Sequence, residues 1–103
     1  MAGVNISGVG PDTPIETNAN GGKQSTTPYR FDLLDAPAMF QLAAIAGKGA
    51  AKYGVSNWRK IDTRSHLNHA LIHIFAYLAG DKSEDHLEHA FCRMMFAVAM
   101  EGG

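Results

Sequence analysis

The fold is decided by residues 62–103, DTRSHLNHALIHIFAYLAGDKSEDHLEHAFCRMMFAVAMEGG. This stretch holds two segments whose apolar residues recur with helical spacing, joined by a short polar connection. The first segment predicts a helix that begins near Asp62 or Thr63 and ends at Ala79. Ser83 is a suitable N-cap for the second segment, which predicts a helix running to the end of the chain. Because the connection is short, the two helices should pack antiparallel.

A third helix is predicted upstream of this pair. Asp35 is a suitable N-cap, and apolar residues then recur at helical spacing until Gly54, which can end the helix. No run of alternating β-branched residues bounded by turns is present, so no strand is predicted. The sequence therefore predicts an all-α fold, a small helical bundle of three main helices.

The first 28 residues differ in composition from the rest of the chain. Residues 1–28 are rich in glycine and proline and carry few large apolar side chains. Such a segment cannot form a core of its own. We therefore expect a flexible or extended N-terminal arm over residues 1–28 and a single helical domain over residues 29–103.

Three short helices leave apolar surface uncovered, so we expect oligomerisation to complete the bundle, as a homodimer or a larger homo-oligomer. The apolar stripe of the last helix is expected to be core or dimer interface, and it consists of Leu87, Phe91, Met94, Met95 and Val98. Cys92 lies among these residues, and we expect it to pack inertly rather than act as a nucleophile.

Composition narrows the choice of partners. The chain carries nine Lys plus Arg and ten Asp plus Glu, a formal net charge of −1. A binder of polymeric nucleic acid normally has a basic excess, so that class is disfavoured, whereas a small anionic ligand needs only a local basic cluster. The single cysteine fits a reducing compartment, and we find neither a signal peptide nor an apolar run long enough to span a membrane. We expect a soluble, cytoplasmic chain with no membrane partner.

All five histidines fall in the last two predicted helices. On the first of these helices, the spacing i, i+3, i+7 places on one face His66, His69 and His73. The same spacing recurs on the second helix with His86, His89 and Arg93. Folding the chain back about the connection sets His73 level with His89. It also sets His69 level with Arg93, and it places His86 one turn nearer the connection, beside acidic residues.

The histidine stripes predict a metal or nucleotide site. Imidazoles on facing helices can ligate a transition metal, and nearby carboxylates can complete its shell. The candidate ligands are the histidines of the two stripes and the acidic residues beside His86. Histidines favour Zn²⁺ or Mn²⁺, whereas phosphate chemistry favours Mg²⁺ or Mn²⁺, and the imidazoles could also contact phosphates or a base directly. The alternative is that individual histidines are exposed or serve helix packing.

Residues 21–25 form a glycine-lysine turn that could wrap phosphates with backbone N–H groups and a lysine charge. Basic and aromatic residues interleave in three further segments, where they could neutralise phosphates and stack on a base. These three segments are residues 29–31, 52–53 and 57–60. The alternatives are that the glycine-lysine turn is a flexible linker, and that Phe31 and Trp58 anchor the arm and the loop to the bundle.

Two longer stretches resemble a known family. They are residues 21–60, GGKQSTTPYRFDLLDAPAMFQLAAIAGKGAAKYGVSNWRK, and residues 66–92, HLNHALIHIFAYLAGDKSEDHLEHAFC. In the order and spacing of several motifs they resemble the phage-borne dATP/dGTP diphosphohydrolase family, which is related to the all-α pyrophosphohydrolases of the MazG type. The resemblance implies that a divalent metal assists cleavage of the α–β phosphate bond of a purine deoxynucleoside triphosphate, giving the monophosphate and pyrophosphate. It also implies a role in phage nucleotide-pool control in the host cytoplasm.

The resemblance further implies roles for individual residues. Those assigned to substrate binding are Lys23, Arg30, Lys52, Tyr53, Asn57 and Trp58. Those assigned to metal or catalytic roles are His69, His73, Asp81, Asp85, His86 and His89. The candidate metal ligands among them are His69, His73, Asp81, His86 and His89. The candidate catalytic residues are His73, Asp85 and Glu84, with either acid positioning a water molecule.

The chain departs from the MazG-type pattern in its acidic motifs. Such enzymes carry an E-E-x-x-E helix and an E-x-x-D helix, and this chain has neither. Histidines stand where some of those acids would lie. The alternative function is therefore a non-catalytic nucleotide-binding protein, a sponge that sequesters a host signalling nucleotide. A structural or interaction module with a histidine-rich interface is a third hypothesis.

Overall fold

The structure, a computed structural model, describes residues 6–102. The contacts within the chain separate two compact units, residues 1–35 and residues 36–103. The division predicted after residue 28 stays a prediction, because such contacts report packing and not which part of the chain folds alone.

The first unit contains a β-hairpin that was not predicted. β1 (Ile15–Thr17) and β2 (Lys23–Ser25) pair antiparallel. The Asn18 side chain closes the turn, because its Oδ1 accepts hydrogen bonds from the backbone N–H groups of Asn20 and Gly22 at 2.9 and 2.8 Å. The prediction that the chain has no strand was therefore wrong. Three-residue strands are too short to show alternation, and the asparagines and glycines of the turn were the usable signal.

The second unit is helical, as predicted. Its three main helices are α1 (Ala36–Tyr53), α2 (Thr63–Leu78) and α3 (His86–Gly102). Two short 3-10 helices precede α1 and α2, namely Phe31–Leu33 in the first unit and Asn57–Lys60 in the second. The small all-α bundle with three main helices is thus confirmed, with the two-stranded hairpin as an addition.

The ends of α1 and α2 confirm their predicted signals. Gly54 follows α1 with φ +103°, and Gly80 follows the end of α2 with φ +88°, a backbone conformation that favours glycine. At the start of α2, the Asp62 side chain accepts a hydrogen bond from the backbone N–H of Ser65 at 3.0 Å. Local capping chemistry therefore fixes these boundaries.

The start of α3 differs from the prediction. Ser83 does not cap the helix, because its backbone N–H and its hydroxyl both donate to Asp81 Oδ2, at 3.1 and 2.5 Å. The helix begins at His86 instead, so Glu84 and Asp85 precede it rather than lying in its first turn. The connection between α2 and α3 is therefore longer than expected and carries its own acidic side chains.

The core of the helical unit is built mainly from small residues. α2 packs against α3, and α1 packs on α3. Ala70, Ala90 and Ala97 are buried, together with Ile45 and Cys92. Burial raises the pKa of the Cys92 thiol, which supports its predicted role as packing. Since the side chains at a contact set the distance between helices, small residues let polar side chains of α2 and α3 meet.

The large apolar side chains of α3 lie mostly outside this core. The predicted stripe is between 39% and 65% exposed, and it consists of Leu87, Phe91, Met94, Met95 and Val98. The interpretation of these residues as the core of a single chain was wrong, because buried alanines fill the core instead. Their role as an interface between copies stays a prediction. Within residues 6–102, no helix combines the length and apolar character needed to cross a membrane.

Candidate metal centre

Three side chains converge where α2 and α3 are connected. His73 lies near the end of α2, and His86 is the first residue of α3. Glu84 lies in the segment of chain that connects the two helices. The Nδ1 atoms of His73 and His86 are 3.0 Å apart, and Glu84 Oε1 lies 3.4 and 3.9 Å from them. These three atoms lie within 4.8 Å of one another. The part of the chain that the structure describes thus contains a His–Glu–His cluster that could hold a metal ion.

Asp81 lies behind His86 and orients its ring. The Asp81 Oδ2 accepts a hydrogen bond from His86 Nε2 at 2.5 Å. Hydrogen bonds from Ser83 and then from His86 lower the pKa of Asp81 to about 2. The ionised carboxylate therefore holds the proton of His86 on Nε2 and leaves the lone pair on Nδ1, which faces His73. Asp81, predicted as a metal ligand, instead contacts the other nitrogen of the His86 ring.

The donor set fits a transition-metal ion. Two metal–nitrogen bonds at a tetrahedral angle place their nitrogens about 3.3 Å apart, close to the 3.0 Å between the two Nδ1 atoms. Two imidazoles and one carboxylate also form a three-ligand set that leaves a fourth position open, as in catalytic zinc sites. Mg²⁺ prefers oxygen ligands, so it fits this set less well than Zn²⁺ or Mn²⁺.

The surroundings of His73 favour its neutral form. Burial lowers its pKa, and the charges of His89, His86 and Arg93 lower it further, while Glu84 acts in the opposite direction. His73 is therefore neutral at neutral pH, and its tautomer with the proton on Nε2 would offer the Nδ1 lone pair to a metal ion. The His89 ring stacks on the His73 ring, with centroids 4.9 Å apart. His89, predicted as a ligand, thus contacts the cluster through its ring face.

His66, on the same helix, has both ring nitrogens occupied. Its Nε2 donates to the carbonyl oxygen of Trp58 at 2.9 Å, and its Nδ1 accepts from Arg93 Nη1 at 3.1 Å. The carbonyl can only accept and the guanidinium can only donate, so the neutral Nε2–H tautomer is fixed. The ring is fully buried and lies against Phe96. His66 therefore joins α2, α3 and the preceding loop, and it offers no lone pair to a ligand.

The pairing between α2 and α3 differs in part from the predicted one. His73 contacts His89 as expected, but Arg93 pairs with His66 rather than with His69, which is exposed. Seven residues turn a helix through about 700°, so side chains at i and i+7 lie nearly in line, whereas i+3 lies about 60° away. His66 and His73 therefore form the inner line of α2, whereas His69, predicted as a metal ligand, lies to one side and outside the cluster of the described residues.

The predicted substrate-binding residues near the loop before α2 differ in exposure. The Trp58 ring stacks on Phe96 at 4.6 Å, and the Arg59 guanidinium carbon lies 4.2 Å from the centre of the Trp58 ring. Since two groups cannot share one face, both faces of Trp58 are covered, which supports its interpretation as an anchor. Tyr53 is 60% exposed, with Lys52 Nζ 5.1 Å from its ring centre.

The remaining predicted site residues do not belong to the converging cluster. Asn57 begins the second 3-10 helix, and Asp85 precedes α3 with an exposed side chain. In the first unit, Lys23 donates a hydrogen bond within the hairpin. Arg30 forms a bidentate pair with Asp32 at 2.9 and 2.7 Å, which raises the pKa of Arg30 and lowers that of Asp32.

The comparison with protein families gives this geometry a context. A family model described as dATP/dGTP diphosphohydrolase, N-terminal, matches residues 18–102. The chain belongs to this family. The match confirms the resemblance drawn from the sequence motifs, and its range includes His73, Glu84 and His86. Comparisons with curated proteins and with solved structures gave no match.

Proposed function

We propose that this chain carries out metal-dependent hydrolysis of a purine deoxynucleoside triphosphate, dATP or dGTP, to its monophosphate and pyrophosphate. The observation that carries the proposal is the convergence of His73 Nδ1, His86 Nδ1 and Glu84 Oε1 in a chain of this family. A divalent ion held there would polarise a phosphate oxygen and a water molecule. Mn²⁺ suits both the imidazoles and the phosphates, so we propose Mn²⁺ first, with Zn²⁺ and Mg²⁺ as the other ions to test.

The chain's own residues would orient the site and accept a proton. Asp81 holds the His86 ring so that Nδ1 faces the cluster. The Glu84 side chain is 49% exposed, so water can reach its carboxylate, which can accept a proton from an attacking water. The adjacent Asp85 is the other candidate for this role.

Substrate contacts are proposed around the exposed end of α1. Tyr53 offers a ring face on which a purine base can stack, and Lys52 beside it offers positive charge to phosphates. In the helical unit we also propose Asn57 and Trp58 as substrate-binding residues, with Trp58 acting from its packed position. Lys23 and Arg30, in the first unit, are proposed from the family resemblance.

A non-catalytic nucleotide-binding protein is the second candidate function. The observation that favours it is that the cluster in the described residues contains a single carboxylate, Glu84. Pyrophosphate chemistry with several metal ions needs more than one. In this case, the same imidazoles and cations would retain a nucleotide without turnover.

The test is to incubate the purified chain with a panel of nucleotides and each metal ion, and to resolve the products by HPLC. Conversion of dATP or dGTP to the monophosphate, abolished by EDTA and by His73→Ala but retained in His69→Ala, would support the hydrolase. His69→Ala is a matched control because it removes an exposed imidazole of the same helix. Recovery of an unaltered ligand only after denaturation would support the second candidate, and neither turnover nor retention would contradict both.

We also propose that the chain forms a homo-oligomer in the cytoplasm and acts without a membrane or a polymeric nucleic acid. The exposed apolar side chains of α3, such as Phe91 and Val98, support an interface between copies. Light scattering coupled to gel filtration measures the mass in solution. A mass equal to that of one chain would contradict the proposed oligomer.

A further inference from the structure

Arg93 lies on α3 and is not one of the residues of the His–Glu–His cluster. It lies seven residues after His86, so both side chains project from nearly the same line of the helix. Its guanidinium reaches between α2 and α3, where Nη1 donates to His66 Nδ1 at 3.1 Å. The side chain is half-buried. Arg93 therefore lies on the polar face that also carries the His–Glu–His cluster.

The charge of Arg93 has no acidic partner in the described residues. The ion pairs of residues 6–102 involve Arg30, His73 and His86, and none includes Arg93. Its hydrogen-bond partner, His66, is a neutral imidazole that accepts one of the five guanidinium N–H groups. A half-buried cation without an anion is unfavourable unless a ligand supplies the charge.

Arg93 also acts electrostatically on the cluster. Its positive charge is among those that lower the pKa of His73. His89, one turn before Arg93 on α3, stacks on His73 and lies between the two. His86 and Arg93 are about 10 Å apart along the axis of α3 at 1.5 Å per residue, a span that two phosphates of one ligand can bridge between the cluster and the guanidinium.

We propose that Arg93 is a phosphate-binding residue, whose remaining guanidinium N–H groups bind a non-bridging oxygen of a di- or triphosphate while a neighbouring phosphate lies at the His73–Glu84–His86 cluster. This inference rests on the proposed function for the choice of ligand. Guanidinium groups suit this role because their planar donors match two oxygens of a phosphate. His66 would hold the guanidinium in place from behind.

The experiment measures binding of inorganic pyrophosphate by isothermal titration calorimetry, in the presence of Mn²⁺, and binding of Mn²⁺ alone. Arg93→Gln removes the charge but keeps an amide donor for His66. We expect it to weaken pyrophosphate binding by about tenfold or more, since a hydrogen bond to a charged group is lost. Affinity for Mn²⁺ alone should be unchanged or tighter, because a nearby positive charge is gone. Arg64→Gln, which removes an exposed arginine of α2, is the matched control and should bind pyrophosphate like the wild type.

A second measurement does not depend on the folding of Arg93→Gln. In the wild-type chain, the Arg93 Nε–H resonance, assigned by its loss in Arg93→Lys, should shift on addition of pyrophosphate. Pyrophosphate binding of wild-type strength in Arg93→Gln, an unmoved resonance, or no binding by the wild type would each overturn the inference. Binding that depends on Arg93 in a chain without turnover would support this inference and contradict the hydrolase, so the two failures are distinguishable.

Discussion

His66 and His73 lie two turns apart on the same line of α2, yet their surroundings differ in every respect that matters for function. The two nitrogens of His66 meet a carbonyl that only accepts and a guanidinium that only donates. The Nδ1 of His73 meets the Nδ1 of His86, with a carboxylate oxygen 3.4 Å away. One ring is fully satisfied by the protein, whereas the other faces a group of atoms that a cation could bind.

Helical spacing therefore places a histidine on a face of the helix but does not assign its role. The role depends on what the two ring nitrogens contact. For His66 these contacts are Trp58, which lies in the short 3-10 helix before α2, and Arg93 on α3. The two histidines should therefore respond in opposite ways to substitution, one through ligand binding and the other through folding.

The largest effect is expected from removing an imidazole of the cluster. His73→Ala or His86→Ala should reduce Mn²⁺ affinity and hydrolysis by more than about 100-fold, because a direct ligand is lost. Calorimetric titration of Mn²⁺ and the HPLC assay measure both quantities, with circular dichroism to confirm folding. Metal binding of wild-type strength in a folded His73→Ala chain would contradict the assignment of His73 as a metal ligand.

The converse prediction concerns His66. His66→Leu should lower the free energy of unfolding by about 2–4 kcal/mol, because the Trp58 carbonyl and the Arg93 guanidinium lose a buried partner. Urea denaturation measures this change, and His69→Ala should stay within about 0.5 kcal/mol of the wild type because its side chain is exposed. Equal losses in the two variants would show that the His66 contacts do not support the fold.

The contrast also shows how far the sequence could predict the structure. The ends of α1 and α2 follow from local chemistry, such as the Asp62 cap and Gly54, and were predicted correctly. The start of α3 was not, because Asp81 binds Ser83 and removes it from the helix. Ser83 can hydrogen-bond either to the first turn of a helix or to Asp81, and the sequence alone does not show which of the two is more stable.

The candidate site was predicted in its residue types but not in its pairing. Glu84 belongs to the cluster and Asp85 does not, since their orientation depends on where α3 begins. The seven-residue spacing of His66 with His73, and of His86 with Arg93, was the available signal for the inner lines of both helices. It would have pointed to Arg93 as a member of the site.

A smaller effect is expected from the residue behind His86. Asp81→Asn should reduce Mn²⁺ affinity by about 10- to 100-fold, the usual consequence of losing the partner that orients a metal-binding histidine. The amide can still accept the Nε2–H of His86 but lacks the negative charge that makes the imidazole a stronger ligand. Glu88→Gln, which changes an acid in the first turn of α3 outside the cluster, is the control. A larger loss of Mn²⁺ affinity in the control than in Asp81→Asn would show that Asp81 is not the carboxylate that orients His86.

The smallest effect is expected in how the stability of the metal-free chain depends on pH. Burial lowers the pKa of His73 below its ordinary value of 6.5, and the facing groups His86, His89 and Arg93 add to the shift while Glu84 opposes it. The unfolded chain therefore binds more protons at this residue than the folded chain does. Its contribution to stability is fully present above pH 6.5 and is lost as the pH falls through the lower, folded-state pKa.

This sign predicts a small decrease in the urea midpoint between pH 7 and pH 5, which His73→Gln should reduce because glutamine does not titrate. Asp81 acts in a separate window, since its pKa of about 2 lies below the ordinary 3.8 and its contribution is lost only as the pH falls through that range. His69→Gln, which removes an exposed imidazole of the same helix, is the matched control. A decrease that persists in His73→Gln and disappears in His69→Gln would contradict the assignment of the lowered pKa to His73.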